Sequence, residues 1–275
     1  MLLYNRKKII ENFKGKKVLL MQKILEIIVC FIAGMGAGLG TGFAGLSAAA
    51  VISPMLITFL DVPAYEAIGI ALASDVLASA VSAYTYGKSK NIDLKNGIIM
   101  LISVLIFTLI GSFVASHIPN GAMGNFSKIM TLLVGLKFIF KPITKTKEPE
   151  ENNDDTSKKN IKSIICGSLI GFVCGFVGAG GGMLMLLVLT SVLKYDLKTA
   201  VGTSVFVMTF TALTGAVSHF AISGKPDLWI MTLCVLFTFV WARIGARWAN
   251  KADVKKLNRI TGIVLTILGI IMFIA

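Results

Sequence analysis

Three consecutive glycines, Gly180, Gly181 and Gly182, lie in an apolar stretch that also holds Gly178, Ala179 and Met183. Each glycine costs a helix roughly 1 kcal/mol against alanine, so a plain lipid-facing helix would not carry three in succession. Such a run permits a helix break and lets backbone amides approach a ligand closely. A half-helix starting at the break offers unpaired N–H groups and the positive end of its dipole, which suits an anion. A matching stretch occurs earlier, Gly45-Leu46-Ser47-Ala48-Ala49-Ala50, followed by Ile52-Ser53-Pro54. There Ser47 and Ser53 add hydroxyl donors, and Pro54 frees a carbonyl. The candidate substrate-binding residues from these breaks are Gly45, Ser47, Ser53, Pro54, Gly178, Gly180, Gly181 and Gly182.

A second pair of segments, 66–75 and 198–204, puts small and hydroxyl residues early in an apolar run. Thr203 and Ser204, beside Gly202, join the substrate-binding candidates. Asp75 is the one carboxylate well inside an apolar run; an acid at membrane depth is costly and points to ion coupling. Arg243 and Arg247 are four apart, on one helical face, and could attract an anion or snorkel at a helix end. His117 and His219 fall near the ends of apolar runs and are read as interfacial or packed. The four cysteines show no metal-ligand spacing and read as reduced thiols packed between helices. No nucleotide-binding motif is present, so ATP hydrolysis by this chain is not expected; no metal and no cofactor are expected.

The elements that position these residues come in two sets. Gly34, Gly38, Gly42 and Gly45 are matched by Gly167, Gly171, Gly175 and Gly178, each pair 133 positions apart (167 − 34 = 133). The register continues through Ala67 with Ala200 and Gly69 with Gly202; past a one-residue gap, Asp93 pairs with Asp227 and Gly111 with Gly245. Two largely apolar halves in one register are the mark of a transporter built by duplication. The GxxxG spacing of the first three glycines in each half reads as close helix packing.

Composition places these halves in a bilayer. The chain is 55% hydrophobic and 15% charged, with mean hydropathy +0.81. Runs almost free of charge cover 24–60, 64–86, 97–116, 123–140, 162–193, 196–222, 227–248 and 257–275, each near or above the roughly 20 residues needed to cross as helix. They lack the alternation of a β-barrel. The expected fold is an all-α polytopic membrane protein with about eight transmembrane segments in two homologous halves. Each half holds a glycine-broken helix or re-entrant hairpin. The organisation reads as a basic segment at 1–23, a first transmembrane repeat at 24–140, a polar linker at 141–161 and a second repeat at 162–275. The basic N-terminal stretch superficially resembles a signal peptide, but its apolar part runs on too far, so it is expected to be retained.

Net charge is +13, carried by short loops and ends, where lysine and arginine set topology and meet anionic lipid; nucleic acid is not implied. Charge bias puts the N-terminal segment and 87–96 in the cytoplasm and 60–66 outside. Simple alternation then puts the strongly basic 249–256 outside, a conflict that a re-entrant glycine run would resolve. Whether the halves are parallel or inverted stays open. The partners implied are a small anionic substrate and the bilayer of a plasma (inner) membrane, and a homo-oligomer is compatible with the sequence.

A glycine cluster, then a small-residue or proline-rich stretch, then Ala-x-Gly-Thr-Ser, once per half, resembles the sulfite exporter TauE/SafE family of permeases. Gly178-Ala179-Gly180-Gly181-Gly182 and Ala200-Val201-Gly202-Thr203-Ser204 carry the likeness most closely, and Asn91-Ile92-Asp93 and Gly224-Lys225-Pro226-Asp227 also fit. The first half departs from the pattern, with Ser47-Ala48-Ala49 and Gly69-Ile70-Ala71 at the corresponding places. The resemblance covers roughly 24–275. It implies a permease, not an enzyme, that moves small sulfur-containing or organic anions such as sulfite or sulfoacetate, often outward. Two alternatives are an anion channel, since broken helices also line pores, and an intramembrane serine protease using Ser47 with His219.

Overall fold

The computed structural model describes residues 2–140, 156–178, 181–193 and 195–249, with isolated helical positions from 259 to 274. Among the described residues the chain is helical, with no strand. The helices are α1 (Leu2–Ala44), α2 (Ala49–Leu60), α3 (Ala64–Lys88), α4 (Leu94–Ala115), α5 (Asn120–Phe140), α6 (Thr156–Val177), α7 (Gly181–Leu187), α8 (Leu197–Ser223) and α9 (Leu228–Ala249). A π-turn, Val188–Val192, continues α7. Among the described residues, five segments are long and apolar enough to cross a membrane: Leu19–Ala44, Ala64–Lys88, Gly97–Ala115, Lys198–Ser223 and Leu228–Ala249.

Two of the apolar runs are not single helices. The run at 24–60 stops at Ala44 and restarts at Ala49; the run at 162–193 stops at Val177 and restarts at Gly181. Both stops use a glycine in the left-handed region, Gly45 at φ 61° and Gly178 at φ 67°. Its N–H closes on a carbonyl one turn back, Gly45 on Thr41 at 3.0 Å and Gly178 on Cys174 at 2.8 Å. A side chain at either φ is strained, so glycine is what allows the chain to leave the helix there. The 133-residue offset therefore carries into backbone geometry: α1 ends at Ala44 and α6 at Val177, and α3 begins at Ala64 and α8 at Leu197. Past the gap, α4 and α9 begin 134 apart, at Leu94 and Leu228, and end 134 apart, at Ala115 and Ala249.

The glycine ladders explain which helices pair. A Cβ on Gly34, Gly38 or Gly42 would strike the α9 backbone or its Cβ atoms near Phe237, Thr238, Ala242 and Ala246. A Cβ on Gly167, Gly171 or Gly175 would strike α4 at Met100, Ser103, Val104 and Thr108. So α1 lies along α9 and α6 along α4, each with its partner from the other half of the sequence. Close approach through small residues is the packing expected of membrane helices. Helices α3 and α8 run antiparallel against each other: Gly69, near the start of α3, meets His219 and Phe220 near the end of α8, and Gly202, near the start of α8, meets Tyr86 near the end of α3 and Asn91 after it.

These contacts fix which ends share a face. Gln22 and Glu26 of α1, Leu60 to Pro63 after α2, and Asp227 before α9 line one cleft of ≈ 420 Å³. At that end the Asp227 amide donates to Glu66 at 2.9 Å and the Tyr65 amide to Asn120 at 3.4 Å. At the other end the Tyr195 hydroxyl donates to Asp93 at 2.6 Å, and Lys88 and Ser89 line a cleft with Arg243, Arg247 and Trp248. The α1–α2 pair therefore enters and leaves by the first face, and the α6–α7 pair by the second.

This arrangement corrects one expectation. Residues 24 and 60 lie at the same end, because α2 doubles back, and the N-terminal segment and 87–96 lie at opposite ends. They do not share a side. The C-terminal end of α9, with Arg243 and Arg247, falls at the same end as Lys88 and Lys90, which removes the conflict over the basic residues near 249. Helix α1 also runs unbroken through residue 23. Residues 141–155, most of the polar linker, lie outside the described residues, as do Lys251, Lys255 and Lys256 and most of the last apolar run.

Candidate functional site

The two breaks meet in the interior. A Cβ on Gly182 would strike the Gly45 carbonyl, and would come 2.7 Å from the Ser47 amide nitrogen. One on Gly178 would come 3.1 Å from the Ala49 Cβ. The first turns of α2 and α7 thus converge, and with them two helix N-termini. Ser53 and Pro54 lie further along α2; the Ser53 hydroxyl bonds back to the Ala49 carbonyl at 2.7 Å, and Pro54 is buried inside the helix.

Asp75 reaches this junction from the middle of α3. Its Oδ2 lies 2.8 Å from the Ser47 hydroxyl, and its Oδ1 accepts from the Ser79 hydroxyl at 2.9 Å. The Ala48 amide also donates to the carboxyl group. Ser47 in turn donates to the Gly178 carbonyl at 3.0 Å, and its oxygen accepts from the Ala49 amide at 3.3 Å. Asp75 is 1% exposed and Ser47 2%. Helix α2 has no cap from its own N-cap residue, Ala48; the carboxyl of Asp75, 27 positions further along the chain (75 − 48 = 27), supplies an acceptor there instead.

The remaining sequence candidates fall in three places. Gly181 packs on Cys174, the cysteine beside the second glycine cluster, and Gly182 on the backbone of the first break. Gly180, with Ala179, lies outside the described residues. Ser204 stands against Gly45 and bonds back to the Val201 carbonyl at 2.9 Å. Thr203 is turned away from the junction and accepts from the Asp93 amide at 3.0 Å, at the start of α4. Arg243 and Arg247 are exposed at the second face, in a cleft of ≈ 700 Å³ with Lys88, Tyr84 and Trp248.

The serine–histidine pair does not form. Ser47 is committed to Asp75 and Gly178, while the two ring nitrogens of His219 face backbone carbonyls, Tyr65 at 3.2 Å and Gly175 at 3.1 Å. His219 is fully buried and stacks on Tyr65 at 4.1 Å between centroids. His117 is exposed near the end of α4. All four cysteines are free. Among the described residues no cluster of His, Cys, Asp or Glu could hold a metal ion.

Sequence reasoning left Ser79 among the background hydroxyls that could line a polar path, and passed over Tyr86 and the Gly178 carbonyl. Ser79 carried a usable signal, since it lies one helical turn after Asp75. Tyr86 and His219 carried another, because they stand 133 apart (219 − 86 = 133) and each faces a carbonyl of a matched glycine pair, Gly42 and Gly175. The carbonyl carried none, as every residue has one.

Comparison with known proteins finds relatives along most of the chain. The chain is 28% identical over 266 residues to the "Probable membrane transporter protein YunE" of Bacillus subtilis, covering 89% of this chain and 96% of the relative. It is 27% identical over 267 residues to the "Probable membrane transporter protein MJ0441" of Methanocaldococcus jannaschii, covering 91% and 95%. A second Bacillus subtilis relative, "Probable membrane transporter protein YdhB", is 24% identical over 227 residues, 82% of this chain and 90% of its own. No solved structure matches the chain. The family model for "Sulfite exporter TauE/SafE" matches residues 30–272, both glycine breaks and all the helices that hold them. The chain is a multi-pass membrane transporter, not an enzyme, and belongs to the TauE/SafE sulfite exporter family.

Proposed function

We propose that this transporter moves a small anion of the sulfite or sulfonate class across the plasma membrane, coupled to an ion gradient. The substrate site is at the junction of the two glycine breaks. The observation that carries this reading is the meeting of the α7 first turn with the first break at a buried point, where the Ala48 amide at the start of α2 already donates to a carboxyl group, Asp75. Helix N-termini favour negative charge, and the bond from the Ala48 amide to an internal carboxyl supports that reading at the start of α2. An ionised Asp75 and a substrate anion would compete for the same donors; protonation of Asp75 would free them. Anion and proton would then travel together.

The helix directions support an inverted repeat, with a pseudo-two-fold axis in the membrane plane relating residues 24–140 to 162–275 and eight segments in all. One hairpin opens to each face, which suits alternating access around a fixed central site. With the basic loops at 88–90 and the end of α9 in the cytoplasm, the first face is external, and the N-terminal segment, expected in the cytoplasm, lies outside with it. Arg243, Arg247 and Lys88 would then draw anions toward the inner mouth. A channel is the second reading, favoured only by the same broken helices.

Uptake of radiolabelled sulfite into proteoliposomes under an imposed pH gradient, with sulfoacetate as competitor, tests the proposal. Saturable uptake with counterflow, abolished by Gly181→Leu, is the expected result. Flux that never saturates would make the protein a channel. No sulfite flux from a folded protein would move the substrate to another anion class.

A further inference from the structure

The hydrogen inventory of Ser47 does not close for every charge state of Asp75. A serine hydroxyl has one hydrogen and two lone pairs. Its oxygen lies 2.8 Å from Asp75 Oδ2, 3.0 Å from the Gly178 carbonyl and 3.3 Å from the Ala49 amide nitrogen. Two of these three neighbours are oxygens, and a carbonyl only accepts. If Asp75 is ionised, both oxygens compete for one hydrogen. The charged acceptor wins, since charge-assisted bonds are roughly twice as strong, and the Gly178 carbonyl is left against a lone pair. If Asp75 carries a proton, every position is used: Asp75 donates to Ser47, Ala49 donates to Ser47, and Ser47 donates to Gly178. Oδ1 of Asp75 still accepts from Ser79.

We infer that Ser47 is a proton-dependent tie between the two hairpins. When Asp75 is neutral, the Ser47 hydrogen bonds to the Gly178 carbonyl and holds the first break against the second. When Asp75 loses its proton, that hydrogen turns to the carboxylate and the tie opens. The observed distances put both acceptors within reach of the Ser47 hydrogen, as the tie requires. The tie joins residues 131 apart in sequence, on hairpins that open to opposite faces. Releasing it lets one hairpin move against the other, which is the motion that alternating access needs. The inference rests on the reading of Asp75 as the coupling acid, but makes a separate claim, about which bond its proton controls.

The surroundings leave Asp75 as the group that controls it. The carboxyl is faced by the Cys174 thiol from α6, by Ser47 and the Ala48 amide from the first break, and by Ser79 on its own helix. Across the junction, α8 puts Met208 against Gly182. Among the described residues no charged side chain bonds to Asp75. The nearest charges on α9, Arg243 and Arg247, line the exposed cleft at the end of the helix, and His219 of α8 is turned to Tyr65 and Gly175.

Hydrogen–deuterium exchange of full-length protein in nanodiscs, across a pH series and corrected for intrinsic exchange, tests this on the peptide spanning 176–182. Infrared absorption of the Asp75 carboxylic acid, assigned by its loss in Asp75→Asn, reports the protonation state in parallel. In the wild type, protection of the peptide should fall about tenfold as the Asp75 band disappears, the change expected for one lost buried hydrogen bond. Asp75→Asn keeps an N–H donor toward Ser47 and should stay protected at every pH. Ser47→Ala should be unprotected at every pH, and Ser47→Thr should restore the pH step. Unchanged wild-type protection through the Asp75 titration would overturn the inference, as would a pH step that survives in Ser47→Ala. If Ser47→Ala does not fold, the wild type against Asp75→Asn decides. Should Asp75→Asn keep full pH-driven transport, the coupling reading fails while the exchange result still stands or falls by itself.

Discussion

The Tyr86 hydroxyl donates to the Gly42 carbonyl at 3.1 Å, just before α1 stops. In the other half, His219 Nε2 lies 3.1 Å from the Gly175 carbonyl, just before α6 stops. Each broken helix is thus held near its stop by a side chain from one of the two antiparallel helices α3 and α8. Tyr86→Phe should cost about 1 kcal/mol, one buried hydrogen bond, and His219→Ala about 1–3 kcal/mol, because it leaves carbonyls unpaired and a hole beside Tyr65. Thermal unfolding in detergent measures both. Equal stability of Tyr86→Phe and wild type would show that the bond does not hold the helix end.

The glycine ladders should respond as pairs. Gly38→Ala puts a methyl against the α9 backbone, and Gly171→Ala puts one against the Val104 carbonyl of α4. Each should destabilise by about 1–3 kcal/mol, as overpacking does. Gly121, also helical, has open space around it; Gly121→Ala should be neutral or stabilise by up to about 1 kcal/mol. If all three alanine variants unfolded alike, close packing would not be the reason for the ladders.

Asp75→Asn should fold, because an amide can still serve Ser47 and accept from Ser79. It should lose accumulation driven by a pH gradient while keeping exchange of anion for anion. Proteoliposome uptake with and without the gradient, and counterflow, separate the two. Gradient-driven uptake at the wild-type level would remove Asp75 from coupling.

Thr203 and Gly182 should part company. Thr203→Val removes the acceptor for the Asp93 amide at the start of α4 and should lower stability by about 1 kcal/mol with little change in apparent affinity. Gly182→Ala presses on the Gly45 carbonyl and the Ser47 amide and should abolish flux. Saturation curves for sulfite on both variants read this directly; a large affinity change in Thr203→Val would put Thr203 back in the substrate site.

Arg243→Gln with Arg247→Gln should weaken anion uptake a few-fold at low ionic strength and hardly at all at high salt, because exposed charges act at long range and are screened. Equal loss at both ionic strengths would mean direct contact with the anion.

The sequence by itself determined the helical, membrane-spanning class, the places where helices stop, and the 133-residue offset that α1, α3, α6 and α8 keep in their bounds. Hydropathy sets the first, left-handed glycines at 45 and 178 the second, and the 133-residue register the third. All three are local or periodic properties, written in residue type and spacing. Tertiary structure alone decided that the stops reverse the chain. A glycine break permits either a kink or a hairpin, and only packing selects one. That choice put the N-terminal lysines and Lys88 at opposite ends, where charge counting had put them together. It also decided that Asp75, Ser47 and Gly178 meet, for a bond across 131 residues leaves no trace in local pattern. Thr203 shows the converse: a residue beside a paired glycine looked like a substrate ligand, and its hydroxyl serves the start of a neighbouring helix. Which way a helix faces is settled by its neighbours, not by its own sequence.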